Sequence, residues 1–172
     1  RLQLESLVES RTHELASANQ KLSRHAAEIA DLYDHAPCGY HSLAPDGTII
    51  AVNQTELALL GYSREEYVGR HISDFMTAES VVSFQQYYAE FSRVGRVRDL
   101  EFDFVHKSGA IIPVLASGDM VRDAEGRFVA TRSTLVDNTE RKARDQKIAE
   151  MQVELARRAE AAEAANLAKS NF

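Results

Sequence analysis

A single cysteine, Cys38, in a chain of 172 residues excludes an internal disulfide framework and fits a reducing compartment. Its expected role is that of a small buried hydrophobe. Long apolar runs are missing, so nothing in the sequence can span a bilayer as a helix, and no signal peptide opens it. An excess of positive charge is missing too. The net charge of −6 leaves no basic stripe to neutralise phosphates and argues against a nucleic-acid partner. There is no glycine-rich phosphate loop. Six histidines are scattered over positions 13, 25, 35, 41, 71 and 106, with no i,i+4 pair and no cysteine at ligand spacing, so no metal site is expected. No pair of carboxylates stands alone in an apolar surround. An acid–base constellation is therefore absent, and the fragment is not expected to be an enzyme.

What is present divides into three segments. Charged residues make up 27% and hydrophobic residues 44%, the balance of a globular chain. Residues 1–34 contain no Gly or Pro and carry a heptad pattern. Val8, Leu15, Leu22 and Ile29 repeat every seven residues, with Leu4, Arg11, Ala18, His25 and Leu32 at the companion position. That spacing lays an apolar seam along one helix face, which a partner must cover. A parallel dimeric coiled coil is the expected partner; an amphipathic helix packed on its own domain is the alternative. Arg11 and His25 interrupt the seam, and such polar breaks can set register.

Residues 35–137 change character at His35-Ala36-Pro37. Tyr40 to Leu43, Pro45-Asp46-Gly47-Thr48 and Ile49 to Asn53 read as strand, turn, strand. Gln54 to Leu60 reads as a short helix ended by Gly61. Ser63-Arg64-Glu65-Glu66 is a capping-box signature for another, closed by Gly69. A longer helix is expected from Thr77 to Val94, with Val81, Phe84, Tyr88 and Phe91 on one face. Three strands then follow: one in which Leu100, Phe102 and Phe104 alternate with Glu101, Asp103 and Val105, one over 110–121 and one over 127–136. Their short connections predict an antiparallel meander, hence an α+β domain of about 100 residues.

This order of elements resembles a PAS domain. So do Asp46-Gly47-Thr48 in the first hairpin, Asn53 at the start of the helix after the second strand, and Leu60-Gly61-Tyr62-Ser63-Arg64-Glu65-Glu66-Tyr67-Val68-Gly69. Lys107-Ser108-Gly109 and the run Asp137-Asn138-Thr139-Glu140-Arg141-Lys142 complete the likeness, which covers residues 30–142. Asn138 departs from the pattern, which has an aliphatic residue there. The resemblance implies a five-stranded antiparallel sheet with short helices on one face, flanked by N- and C-terminal coiled-coil helices. It also implies a cavity between sheet and helices that suits a small apolar ligand. Tyr40, Leu57, Leu60, Phe84, Tyr88, Phe102, Phe104, Val114, Ala116 and Ser133 are its expected wall; the alternative is that they fill a solid core.

The family's cofactors are disfavoured by the residues present. Haem sensors of the oxygen-sensing kinase type use a His on the long helix, where residues 77–94 have none and Phe84 holds the matching place. Covalent flavin sensors need a Cys where Gly69-Arg70-His71-Ile72 presents Ile72. His71 is the one candidate left for another mode of haem ligation.

A second heptad segment spans residues 138–172. Ile148, Met151, Leu155, Ala162, Ala165 and Phe172 keep the three-four spacing, broken by Arg158 and Lys169. Asp137, with Glu140 three residues on, reads as a helix cap with a reciprocal partner, and Asp137 and Thr139 as the junction that passes a signal onward. The ending Ala164-Ala165-Asn166-Leu167-Ala168-Lys169-Ser170-Asn171-Phe172 has no stop signal, so the helix is expected to continue in a longer parent. That ending resembles the segment leading into the phosphoacceptor helix of bacterial sensor histidine kinases. The expected function is thus a cytoplasmic sensory module of a two-component kinase, dimerising through coiled coils and relaying a signal to C-terminal kinase domains. Its parent has room for an upstream membrane anchor, but the fragment itself is expected to make no membrane contact. The alternatives are a ligand-free dimerisation spacer, or the PAS input of a diguanylate cyclase or transcription regulator.

Overall fold

The structure is a computed structural model that describes residues 2–170; Asn171 and the seam position Phe172 lie outside them. Helix α1 (Leu2–Asp34) leads into strands β1 (Gly39–Leu43) and β2 (Ile49–Val52). Short helices α2 (Gln54–Leu60) and α3 (Arg64–Tyr67), a 3-10 turn (Ile72–Phe75) and the longer α4 (Ala78–Val94) follow. Strands β3 (Arg96–Val105), β4 (Ile111–Arg122) and β5 (Phe128–Asp137) then close the domain, and α5 (Thr139–Ser170) leaves it. The five strands form one antiparallel sheet in the order β2-β1-β5-β4-β3.

Local chemistry explains most boundaries. The β1–β2 turn is held by the Asp46 carboxylate, which accepts from the Thr48 N–H at 2.9 Å. Asn53 caps α2 by accepting from the Glu56 N–H at 3.0 Å. Ser63 and Glu66 form the full capping box of α3. Helix α2 ends at Gly61, whose φ of 77° is in the left-handed region that glycine occupies without strain. A Cβ added at Gly61 would collide with the His106 ring. Gly61→Ala is therefore expected to destabilise the domain by about 2 kcal/mol in urea unfolding, combining backbone strain with a steric push. A loss near zero would mean that the His106 ring swings away freely.

The structure differs from the sequence reading in four places. Helix α3 ends at Tyr67 with Val68 as its cap, and Gly69 lies beyond it. The 3-10 turn, begun by the His71 side chain accepting from the Ser73 N–H, carries no periodicity long enough to read. Strand β3 begins at Arg96 rather than near Leu100 because a bulge between Val97 and Leu100 interrupts the alternation. There Asp99 takes a φ of 51° and donates its N–H to Ser117 Oγ at 2.9 Å. At the last junction Asp137 accepts from the Thr139 N–H at 2.8 Å, and no return bond from Glu140 forms among the described residues.

The core is continuous from β1 to β4. Leu43, Ile49, Val52, Leu57, Leu60, Tyr67, Ile72, Phe75, Phe104, Val114 and Leu135 are all buried. The strand order has a geometric consequence for the helices. β1 pairs with β5 through Gly39–Leu135, Tyr40–Thr134 and His41–Ser133, so the start of β1 and the end of β5 lie at the same end of the sheet. Helix α1 arrives and α5 departs at that end.

Candidate functional site

Between the sheet and α4 lies a cavity of about 60 Å³. Its wall is largely apolar: Phe84, Tyr88 and Phe91 from α4 and Phe102, Phe104 and Ala116 from the sheet. The aromatic rings stack in sequence, Phe84 on Tyr88 at 5.1 Å and Tyr88 on Phe91 at 5.9 Å between centroids. The polar wall comes from β1 and β5, where His41, Thr131 and Ser133 face inward. Gly118, opposite Ser133 in the sheet, has no side chain to fill the space beneath.

Six of the ten residues expected at this wall line it: Phe84, Tyr88, Phe102, Phe104, Ala116 and Ser133. Four do not. Leu57, Leu60 and Val114 are buried in the solid part of the core instead. Tyr40 points to the opposite side of β1, where its ring meets Tyr33 of α1 at 5.9 Å. Its neighbour His41 takes the inward position, because side chains alternate along a strand and Leu43 fixes the parity.

His41 opens onto a buried polar cluster. It is 5% exposed, and its Nδ1 lies 2.9 and 3.0 Å from the two carboxylate oxygens of Glu56. Glu56, fully buried on the first turn of α2, accepts a second bond at 2.9 Å from the Tyr67 hydroxyl. Burial first, and the Glu56 carboxylate second, push the Tyr67 hydroxyl well above its ordinary range, so it remains a donor. Gly39 permits the approach: a Cβ there would sit 3.1 Å from a Glu56 oxygen.

Asn53 ties this cluster to α1. Its amide oxygen accepts from the Tyr40 and Glu56 N–H groups at 2.8 and 3.0 Å. Its amide nitrogen donates to the Tyr33 and Cys38 carbonyls at 2.9 and 3.0 Å. The last residue of α1 is held as well: Asp34 accepts from the Gln54 N–H at 3.2 Å and pairs with Arg64 at 3.4 Å. Arg64 also donates to the Val52 carbonyl.

Three tyrosines around the site have raised hydroxyls: Tyr33, Tyr67 and Tyr88, each by burial first. Tyr88 is pushed from 10.0 up to about 12. An unfolded tyrosine near 10 loses its proton before the folded one does, so this contribution is complete below pH 10 and drains away as the pH rises toward 12. Stability measured by urea unfolding is expected to fall over that window, less steeply in Tyr88→Phe. An unchanged slope in that variant would show that its hydroxyl does not titrate with folding.

None of the described seam residues lines the cavity. Val8, Leu15, Leu22 and Ile29 on α1 are 57% to 70% exposed, and Ile148, Met151 and Leu155 on α5 are 52% to 63% exposed. Ala162 is exposed beside them. Cys38 is half-buried and unpaired. Among the described residues no three His, Cys, Asp or Glu side chains come together to hold a metal ion. No described helix is long and apolar enough to cross a membrane.

Comparison with known proteins gives a consistent result. The family model described as a PAS domain matches residues 37–140. The phosphoserine phosphatase RsbP of Bacillus subtilis (strain 168) is 30% identical over 81 residues, covering 46% of this chain and 20% of that protein. The chain thus spans about a fifth of this curated relative. The crystal structure of the PAS domain of an HTR-like protein from Haloarcula marismortui is similar with a TM-score of 0.62 at 23% identity, covering 71% of this chain and 98% of that one. A PAS domain from a two-component sensor histidine kinase is similar with a TM-score of 0.56 at 17% identity, covering 67% and 97%. At these identities the structural likeness concerns the fold.

Proposed function

The chain belongs to the PAS domain family, sensory modules of signalling proteins, and from that premise we propose that it is the cytoplasmic input module of a two-component sensor histidine kinase, paired as a homodimer through α1 and α5. The observation that carries this reading is the pair of uncovered apolar stripes on two helices that meet one end of adjacent central strands. Each stripe needs a partner helix, and a second copy of the chain supplies one with the same spacing.

The mechanism follows from which groups share elements. A molecule in the cavity touches His41 on β1 and Ser133 on β5, the strands next to the incoming and outgoing helices. Preferential binding to one arrangement of β1 against β5 shifts the population of that arrangement. Asn53 passes the shift to α1, and Asp137 and Thr139 pass it to α5. A volume of about 60 Å³ suits a molecule of a few heavy atoms. A haem or a flavin would require the core to open, so neither is the proposed ligand.

Two features support a kinase as the output: the run Ala164 to Phe172 and the fold shared with a histidine-kinase PAS domain. The likeness to RsbP favours a second reading, in which the same module regulates a different C-terminal enzyme. Sedimentation equilibrium distinguishes pairing from its absence. The wild-type fragment is expected to be a dimer, and the double variant Leu15→Glu, Leu22→Glu a folded monomer, because two charges in a seam remove its apolar contacts. A wild-type monomer would sink the dimer. In the full-length parent, the seam variants are expected to abolish regulation; normal regulation after an in-register deletion of residues 35–137 would instead reduce the domain to a spacer.

A further inference from the structure

The apolar stripes of α1 and α5 belong to helices rooted at one end of the sheet, and their polar breaks discriminate between partners. In a parallel pair of identical helices each seam residue meets its own copy. Arg11 would face Arg11, His25 would face His25, and Arg158 would face Arg158. The flanks add nothing to such a pair. Lys21 and Glu28 would reach across to Ala26 and Tyr33 of the second copy, and Lys147 and Glu154 to Gln152 and Ala159, none of them charged.

Turned antiparallel, α1 and α5 fit each other. Leu22 lies twelve residues before the end of α1 at Asp34, and Met151 lies twelve residues after the start of α5 at Thr139. At 1.5 Å per residue each stands about 18 Å from its root. The same levels bring Ala18 to Leu155, His25 to Ile148, Leu15 to Arg158 and Arg11 to Ala162. Each of these polar breaks now faces an apolar side chain, and at two levels a small residue faces a large one. Only about one register in seven aligns two such seams, and the roots of the helices supply it.

The flanks agree with the seam. Lys21 meets Glu154 and Glu28 meets Lys147, opposite charges both times. The two glutamates pair only within their own helices, with Arg158 and Arg24, and neither lysine has an ion-pair partner among the described residues. Flanking pairs of this kind set partner choice and orientation more than stability. Within one chain the seam residues stay exposed, so the complementary helix comes from another copy.

We infer that α1 of each copy packs antiparallel on α5 of the second copy, giving two helix pairs related by a two-fold axis with both domains at the same end. The incoming helix of one copy thus bears on the outgoing helix of the other. A turn or slide of α1 reaches α5 of the second copy without passing through the sheet, beside the route through Asn53.

This inference rests on the homodimer proposed above, and the experiment separates the two. In a Cys38→Ser background, Leu22→Cys and Met151→Cys are made as separate chains, then oxidised mildly alone and as a refolded mixture. The mixture is expected to give at least about tenfold more covalent dimer than either variant alone, because a disulfide needs Cα atoms within about 7 Å. Strong self-linking of either variant would overturn the arrangement in favour of like helices, and no linking in any sample would overturn it as well. Charge exchange is a second readout, taken by sedimentation equilibrium. Lys21→Glu is expected to raise the dissociation constant of the dimer at least about threefold, and Lys21→Glu with Glu154→Lys to restore it. Absence of that rescue would also overturn the arrangement while leaving the dimer standing. A wild-type monomer would instead remove the homodimer itself, and this arrangement with it.

Discussion

Asn53→Ala is expected to lower the stability of the domain by about 3–5 kcal/mol in urea unfolding and to loosen the end of α1. All four hydrogen-bonding positions of this fully buried amide are used, two as acceptor and two as donor. Loss of the cap alone costs about 1 kcal/mol. The rest comes from the Tyr40 N–H and the Tyr33 and Cys38 carbonyls, which lose a partner inside the protein at about 1–3 kcal/mol for each that water cannot reach. Asn53→Asp separates the two halves of the effect, since it keeps both acceptor bonds but places a carboxylate against two carbonyls. Hydrogen exchange at residues 30–38 should quicken in both variants. If Asn53→Ala cost no more than an ordinary surface cap, the joint between α1 and the domain would not depend on this side chain.

Glu56→Ala carries the second large effect, about 3–5 kcal/mol, because it strands two buried groups at once. His41 loses the acceptor at its Nδ1 and Tyr67 loses the acceptor for its hydroxyl. Tyr67→Phe removes one bond and leaves Glu56 with the other, so its effect should be about 1–2 kcal/mol. Glu56→Gln keeps the shape and an acceptor oxygen and should fall between the two. An additive double variant Glu56→Ala, Tyr67→Phe would show that the two side chains do not interact, whereas contact at 2.9 Å predicts strong coupling.

These two residues also show what the sequence made legible and what it did not. The caps made by Asn53, Ser63 and Gly61 reach no more than four residues along the chain and could be read from neighbours, whereas the bonds of Asn53 to Tyr33, Cys38 and Tyr40 could not. The face of α4 was legible for the same reason, through its helical spacing. The His41–Glu56–Tyr67 cluster joins residues fifteen and eleven positions apart, and Glu56 read in isolation is an ordinary solvent-facing helix residue. Nothing local marks it as buried. The exchange of Tyr40 for His41 at the cavity was different, because a signal existed. Leu43 had to face the core, and strand alternation then placed His41 inward and Tyr40 outward. Preference for an aromatic over a histidine hid that parity. Leu57, Leu60 and Val114 are buried in the core instead of lining the cavity as expected, because hydrophobicity does not tell a solid wall from a hollow one.

The pairing of β1 with β5 gives the domain a direction of mechanical weakness. Tension applied through α1 and α5 pulls at the same end of two antiparallel neighbours, so load falls on Gly39–Leu135 first, then Tyr40–Thr134, then His41–Ser133. Bonds loaded in series break in succession, as in a zipper. Bonds loaded in parallel, as in strands pulled from opposite ends, must break together and resist far more force. The first pair to separate lies beside the Asn53 joint, and the last is the rung that bears His41 and Ser133. A modest pull on the helices would thus reach the cavity's polar rung after only two others have opened, whereas the β4–β5 seam behind it would stay closed.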